Sequence, residues 1–175
     1  MRVLYVFSLL IIGAASNCSP SQTIRNEKLC ICCYNDTKGI PTIGVGFNLK
    51  RSDAARVMIK YKLKLNDVLK DCQKRTKNAC LTKAQATDIF NNGNYPEASS
   101  CASTYAPGMP TSVHAALTDI AFAGCGTLNQ FVKMKAALVA KQWKTAGDEL
   151  KYSKWCTDVK SDRCGRDVAC IASGK

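Results

Sequence analysis

Tyr34-Asn35-Asp36-Thr37-Lys38-Gly39-Ile40-Pro41-Thr42-Ile43-Gly44-Val45-Gly46-Phe47 sets turn formers between two β-prone flanks. Asn, Asp and Gly favour tight turns, because their short side chains bond the local backbone or leave positive φ open. Tyr, Thr, Ile, Val and Phe suit a pleated, half-buried surface. The pattern predicts a β-hairpin turning around Asp36 to Gly39. Pro41 has no N–H for a ladder bond, which predicts an edge position for its neighbourhood. Gly44 and Gly46 leave two places where a ligand or another backbone can come close.

Outward from this hairpin the chain reads as helices. Ser21 to Leu29 is polar with helical spacing. Ser52-Asp53 predicts a cap for a helix through Ala54, Ala55 and Val57. Ile59 to Leu65 alternates apolar and basic residues, a formal strand signal, but is read as a helix end and connector. Thr82-Lys83-Ala84-Gln85 is a capping box opening a helix through Ile89 and Phe90. Gly93 and Pro96 predict that this helix breaks or kinks, with another helix from Glu97 to Tyr105. Val113, Ala116, Leu117, Ile120 and Ala121 predict a buried core helix. Phe131, Met134 and Leu138, then Trp143, Ala146 and Leu150, mark two more. The expected fold class is α+β and mainly α, with one small β element.

The chain has 175 residues, enough for one modest domain or two small lobes. Its start, MRVLYVFSLLIIGAAS, has one basic residue, a short apolar run and small residues. That is the layout of a signal peptide over residues 1–16, too short to span a bilayer. All eleven cysteines follow it. Zinc sites usually show paired C-x-x-C spacings with partner histidines; here only Cys30 and Cys33 have that spacing, and His114 is the sole histidine. Disulfides in a secreted protein are therefore expected, with an odd thiol left over. Cys72 and Cys80, bracketing a short basic loop, are the expected local pair. With 25 Lys and Arg against 13 Asp and Glu, the chain carries +12. That charge favours anionic partners such as a bacterial surface. No nucleic-acid-specific motif accompanies it.

The chemistry-bearing candidates are Glu27, Asp36 and Thr42. A helix packed on a hairpin can bring both carboxyls to one groove. Glycoside hydrolysis needs such a pair: one protonated to donate to the leaving oxygen, the other ionised to assist a water. Spacing alone is a weak signal, since Glu27 also suits a solvated helix and Asp36 a turn.

Glu27 followed by Tyr34-x-Asp36-x-x-Gly39-x-x-Thr42-Ile43-Gly44-x-Gly46 resembles the active-site signature of the phage-type lysozymes. Leu81-Thr82-Lys83-x-x-Ala86-x-x-x-Phe90-Asn91 resembles the start of the long helix joining that family's two lobes. Ala116-Leu117, Phe122 and Phe131 sit where its second-lobe helices have them. Trp143, Ala146, Leu150, Ser153, Trp155, Arg163 and Arg166 resemble its C-terminal helices. The signal peptide and cysteines resemble the secreted animal branch.

The resemblance implies a two-lobe lysozyme-like fold over residues 17–175. The sheet-bearing lobe would span about 18–80 and the helical lobe about 81–175. It implies Glu27 as general acid, Asp36 and Thr42 as the groups that place the attacking water, and Phe122 as a substrate contact. The reaction would be inverting hydrolysis of the β-1,4 bond between N-acetylmuramic acid and N-acetylglucosamine in bacterial peptidoglycan. No metal or cofactor would take part, and the protein would act as a monomer. In an inverting enzyme the two carboxyls stand about 6.5–9.5 Å apart, leaving room for the water.

Three features depart from the family pattern. Phe47 stands where many members carry histidine, Gly93 and Pro96 fall inside the connecting helix, and Asn35-Asp36-Thr37 is a glycosylation sequon. A glycan there is expected to crowd the cleft. Two other functions fit the composition: a non-enzymatic cationic antimicrobial or peptidoglycan-binding protein, and a chitin hydrolase. No Ser or Cys partner motif accompanies His114, so a surface or capping role is expected for it over catalysis, and Trp143 and Trp155 are expected in the core.

Overall fold

The computed structural model describes residues 18–175 except Lys28, Thr37 and Lys160. The expected signal peptide lies outside the described residues. The chain is mainly helical with one small antiparallel sheet.

Helix α1 (Pro20–Glu27) leads into strand β1 (Cys30–Asn35), which pairs antiparallel with β2 (Pro41–Gly44). Tyr34 faces Thr42 and Asn35 faces Pro41 across the ladder. The hairpin turns at Asp36 to Gly39, with Gly39 at φ +72°. Two residues, Val45 and Gly46, then reverse the chain into β3 (Phe47–Asn48), giving the order β1-β2-β3. The edge assignment for Pro41 is thus corrected: β2 is the central strand. Pro41 is tolerated because it opens the strand, where its missing N–H leaves no gap, while its carbonyl accepts from Leu49 N at 2.9 Å.

Helix α2 (Ala54–Lys60) follows, with Asp53 at its N-cap. Asp53 makes no cap bond; its carboxylate is taken by Arg51. The segment after it is a connector, with Lys62 at φ +61°, leading to α3 (Leu65–Lys74). Ile43, Phe47, Leu49, Ala54, Met58, Val68, Leu81, Ala86 and Ile89 form one core beneath the sheet.

Five disulfides bind the chain, and Cys30 is the free cysteine among the described residues. Cys33 bonds Cys72 and Cys32 bonds Cys80, so the expected Cys72–Cys80 bridge does not exist. Both cysteines instead tie α3 and its following loop to β1. That loop is closed by Asp71, whose carboxylate accepts from Ala79 N at 2.6 Å and Asn78 Nδ2 at 3.3 Å.

Helix α4 (Lys83–Ile89) opens on a complete capping box between Thr82 and Gln85. At Phe90–Asn94 the helix widens into a π-turn, in which Tyr95 N donates to Phe90 O. It then continues as α5 (Tyr95–Tyr105). The expected break at Gly93 and Pro96 is therefore a local widening. Pro96 lies in the first turn of α5, where a missing N–H costs little, and the wide turn relieves the ring's clash with a carbonyl four residues back.

The second core is helical. Helix α6 (Thr111–Phe122) runs through it and is buried on nearly every position. Around it lie α5, α7 (Cys125–Asn129), α8 (Val132–Val139), α9 (Trp143–Lys151), α10 (Lys154–Asp158) and α11 (Ser161–Ser173). Gly147 lets α9 and α11 touch: a Cβ there would lie 3.1 Å from Ala172 Cβ. Trp155 is buried in this core and Trp143 packs against it. His114 sits between Ser103 (3.0 Å) and Thr118 (3.4 Å). Helix α1, the first helix of the described residues, docks here: Gln22 Nε2 donates to Asp167 at 2.7 Å and Cys18 bonds Cys170.

Candidate active site

Glu27 is the last residue of α1, a polar helix held in place by α6 and α11. Its Oε1 lies 2.7 Å from an Arg163 nitrogen, and both side chains are mostly buried. Arg163, from α11, also donates to the Asp119 carboxylate and carbonyl at 2.8 Å each, and lies over the Trp155 ring. Burial raises the Glu27 carboxyl above the usual range; Arg163 opposes this, and the Asp119 charge reinforces it. The negative end of the α1 dipole pushes the same way. The net direction is upward because removing a carboxylate from water costs more than one ion pair returns at this depth.

Asp36 stands at the hairpin turn. Its Oδ1 accepts from Lys38 N and Ile40 N at 2.8 Å each, leaving Oδ2 without a protein donor among the described residues. Thr42 is buried, and its hydroxyl donates to Ile40 O at 2.9 Å. Its proton is thus committed, and toward any water this hydroxyl is an acceptor. Tyr34 is the cross-strand partner of Thr42. Burial raises the Tyr34 phenol to about 12, with Cys30, Glu27 and Asp36 adding to the shift.

Gly46 brings the β2–β3 turn against this site at φ +70°. A Cβ there would sit 3.4 Å from the Phe122 ring and 3.7 Å from Glu27 Oε2. Phe122, at the end of α6, and Gly46 line an open cleft of about 350 Å³, whose walls also include Asn48, Arg51, Asn94 and Glu97. The structure thus brings Glu27 and Phe122 to the same turn, at Gly46. Gly46→Ala should destabilise the fold by about 1–2 kcal/mol, because alanine resists positive φ. The added Cβ would meet Phe122 and Glu27 at ordinary contact distance, so any slower reaction should come from the strained turn, which urea unfolding and turnover measurements on the same preparation would check.

The sequence left two participants unassigned, Arg163 as the partner of Glu27 and Asp119 as the partner of Arg163. Asn26, from α1, donates to Asp119 at 3.0 Å, and Arg166 donates to Asn26. Asp119 Oδ1 and Asp167 Oδ2 are buried without partners. Burial and the Asp119 charge hold the Asp167 carboxyl well above the usual range, so this interior favours its protonated form, which is a donor. A carboxyl raised in the folded state favours folding at low pH, and that contribution disappears as pH climbs through its folded value. Asp167→Asn supplies the same donor without a proton to lose. Its melting temperature should therefore gain on wild type as pH rises from about 4, and thermal melts across that range would show it.

Phe47 is buried, and the Arg51 guanidinium lies over its ring at 5.4 Å. Asn35, the sequon residue, lies at the end of β1 with Oδ1 3.8 Å from Cys72 Sγ. That sulfur is oxidised, so the contact is not a hydrogen bond. Asn35 shares a hollow with Arg75 and Lys77 near α3; Thr37 lies outside the described residues. No group of three or more metal-ligating side chains occurs among the described residues. No protein-family model matches the chain, and no curated protein is significantly similar to it in sequence.

Proposed function

We propose that the protein is a phage-type muramidase with a lysozyme-like two-lobe fold, hydrolysing the β-1,4 bond between N-acetylmuramic acid and N-acetylglucosamine in peptidoglycan. The observation that carries this reading is Glu27: a carboxyl raised by burial, whose Oε2 would stand 3.7 Å from a Cβ on Gly46, a residue that lines an open cleft with Phe122, while Asp36 and Thr42 belong to the adjoining hairpin. A carboxyl that holds its proton more firmly than a free one is what protonation of a glycosidic oxygen requires.

In this mechanism Glu27 donates its proton to the leaving oxygen as the sugar develops oxocarbenium character. Asp36 receives a water at Oδ2, its other oxygen being fixed by two backbone N–H groups. Thr42 accepts a hydrogen bond from that water, which turns a lone pair toward the anomeric carbon, and Asp36 takes the water's other proton as the new C–O bond forms and the bond to the leaving oxygen breaks. Once Glu27 has lost its proton, the ion pair with Arg163 stabilises the carboxylate left behind. The groups act from opposite faces of the sugar, so the configuration inverts.

The five disulfides fit an oxidising compartment, and no helix of the described residues is long and apolar enough to cross a membrane. With the apolar start of the sequence read as a leader, the disulfides support a secreted protein acting on bacterial envelopes, in defence or digestion. The +12 charge would concentrate it on anionic walls. The test is release of reducing muramic-acid ends from purified peptidoglycan, run beside chitin oligomers. Muramic-acid ends are expected. Activity on chitin alone would replace the substrate assignment, and lysis of live bacteria without new reducing ends would favour a non-enzymatic cationic mode.

A further inference from the structure

Arg51 lines the cleft across from Phe122 and is bonded to two carboxylates at once. Its Nε and one terminal nitrogen meet Asp53 at 2.9 and 3.0 Å. Its two terminal nitrogens together meet Glu97 in a fork, both at 2.6 Å. The carboxylates differ in kind. Asp53 adjoins Arg51 in the chain, and its side chain is 27% exposed, whereas Glu97 comes from α5 and is 55% exposed. With the guanidinium also lying over Phe47, one edge of Arg51 is anchored and the other faces an exchangeable partner.

We propose that Arg51 is a specificity-determining position that reads a carboxylate on the glycan strand by exchanging it for Glu97. This rests on the muramidase reading, because muramic acid carries its lactyl ether, and through it a peptide, beside the scissile bond. The guanidinium fork matches a planar carboxylate in two parallel hydrogen bonds. Exchange conserves those bonds. Glu97 returns to water at small cost because it is already half exposed, and the incoming carboxylate replaces it edge for edge. A neutral strand offers nothing to exchange and leaves the Arg51–Glu97 pair closed across the cleft. Net affinity changes modestly, since one ion pair replaces another, but discrimination between charged and neutral strands follows directly.

The experiment compares glycan strands bearing free carboxylates with the same strands after carbodiimide amidation. Wild type should favour the charged strands in kcat/KM by about five- to tenfold. In Arg51→Gln that preference should disappear, and in Glu97→Gln KM for charged strands should fall, because the internal competitor is gone. Strands stripped of peptide by an amidase, which retain the lactyl carboxylate, tell the two carboxylate sources apart. The preference is a ratio within each protein, so loss of folded material in a variant does not mimic it. An unchanged preference in Arg51→Gln overturns the assignment. If wild type cleaves neither preparation, the muramidase reading fails, and the same ratio measured as equilibrium binding still decides the role of Arg51.

Discussion

Glu27→Gln should lower the rate of peptidoglycan hydrolysis by about 10²–10⁴-fold, the usual contribution of a positioned general acid. Glutamine keeps the shape and can still accept from Arg163, so the fold should persist. It cannot donate a proton to a leaving oxygen. Stability should not fall with activity, because the substitution removes a carboxyl that burial disfavours in its charged form. The informative comparison is turnover beside thermal unfolding of one preparation. A variant that folds and still clears a wall suspension at the wild-type rate would remove Glu27 from the mechanism. The wild-type pH profile should report the protonation state of Glu27. Its alkaline limb should lie above the ordinary carboxylate range, because Glu27 must remain protonated to act.

Opening the Cys18–Cys170 bridge should have the largest effect on stability. It joins residues separated by 152 positions, and closing so long a loop is worth about 5 kcal/mol in the chain-entropy model. Replacing both cysteines with serine should lower Tm by about 10 °C or more. The loss should extend to function, because this bridge and the Gln22–Asp167 bond hold α1 on the helical core, and Glu27 ends α1. Activity should therefore fall at temperatures below the onset of global unfolding, as α1 loosens first. Paired melting curves and activity curves would show the offset. Coincident curves would mean that α1 is held by packing alone.

The hairpin was legible because its signals are local: Asn, Asp and Gly make the turn whatever surrounds them. The capping box at Thr82 and the periodic, apolar α6 were legible for the same reason. Helix α3 is hidden, because the apolar–basic alternation of Ile59 to Leu65 obscures where a new helix starts. Gly93 and Pro96 mark a discontinuity, but residue identity alone does not separate a broken helix from a π-turn, which depends on how α4 and α5 seat on two cores. Pro41 signals its missing donor, not which neighbour its carbonyl finds. The disulfides were legible in kind and not in pairing: Cys72 and Cys80 are close in the chain, yet each reaches back to β1. Glu27, Asp36 and Thr42 could be named from the motif, whereas Arg163 and Asp119 are brought to Glu27 by helices far along the chain.

The anomeric form of the first product bears most directly on the proposed chemistry. Purified wild-type protein is mixed with solubilised peptidoglycan strands, and the new reducing end is followed by proton NMR before mutarotation scrambles it. Glu27 protonating one face while a water held by Asp36 and Thr42 attacks the other predicts the α-anomer first, because a β-linkage is inverted. A β-anomer appearing first would contradict the water-placing roles of Asp36 and Thr42, and no new reducing end at all would contradict the assignment as a hydrolase.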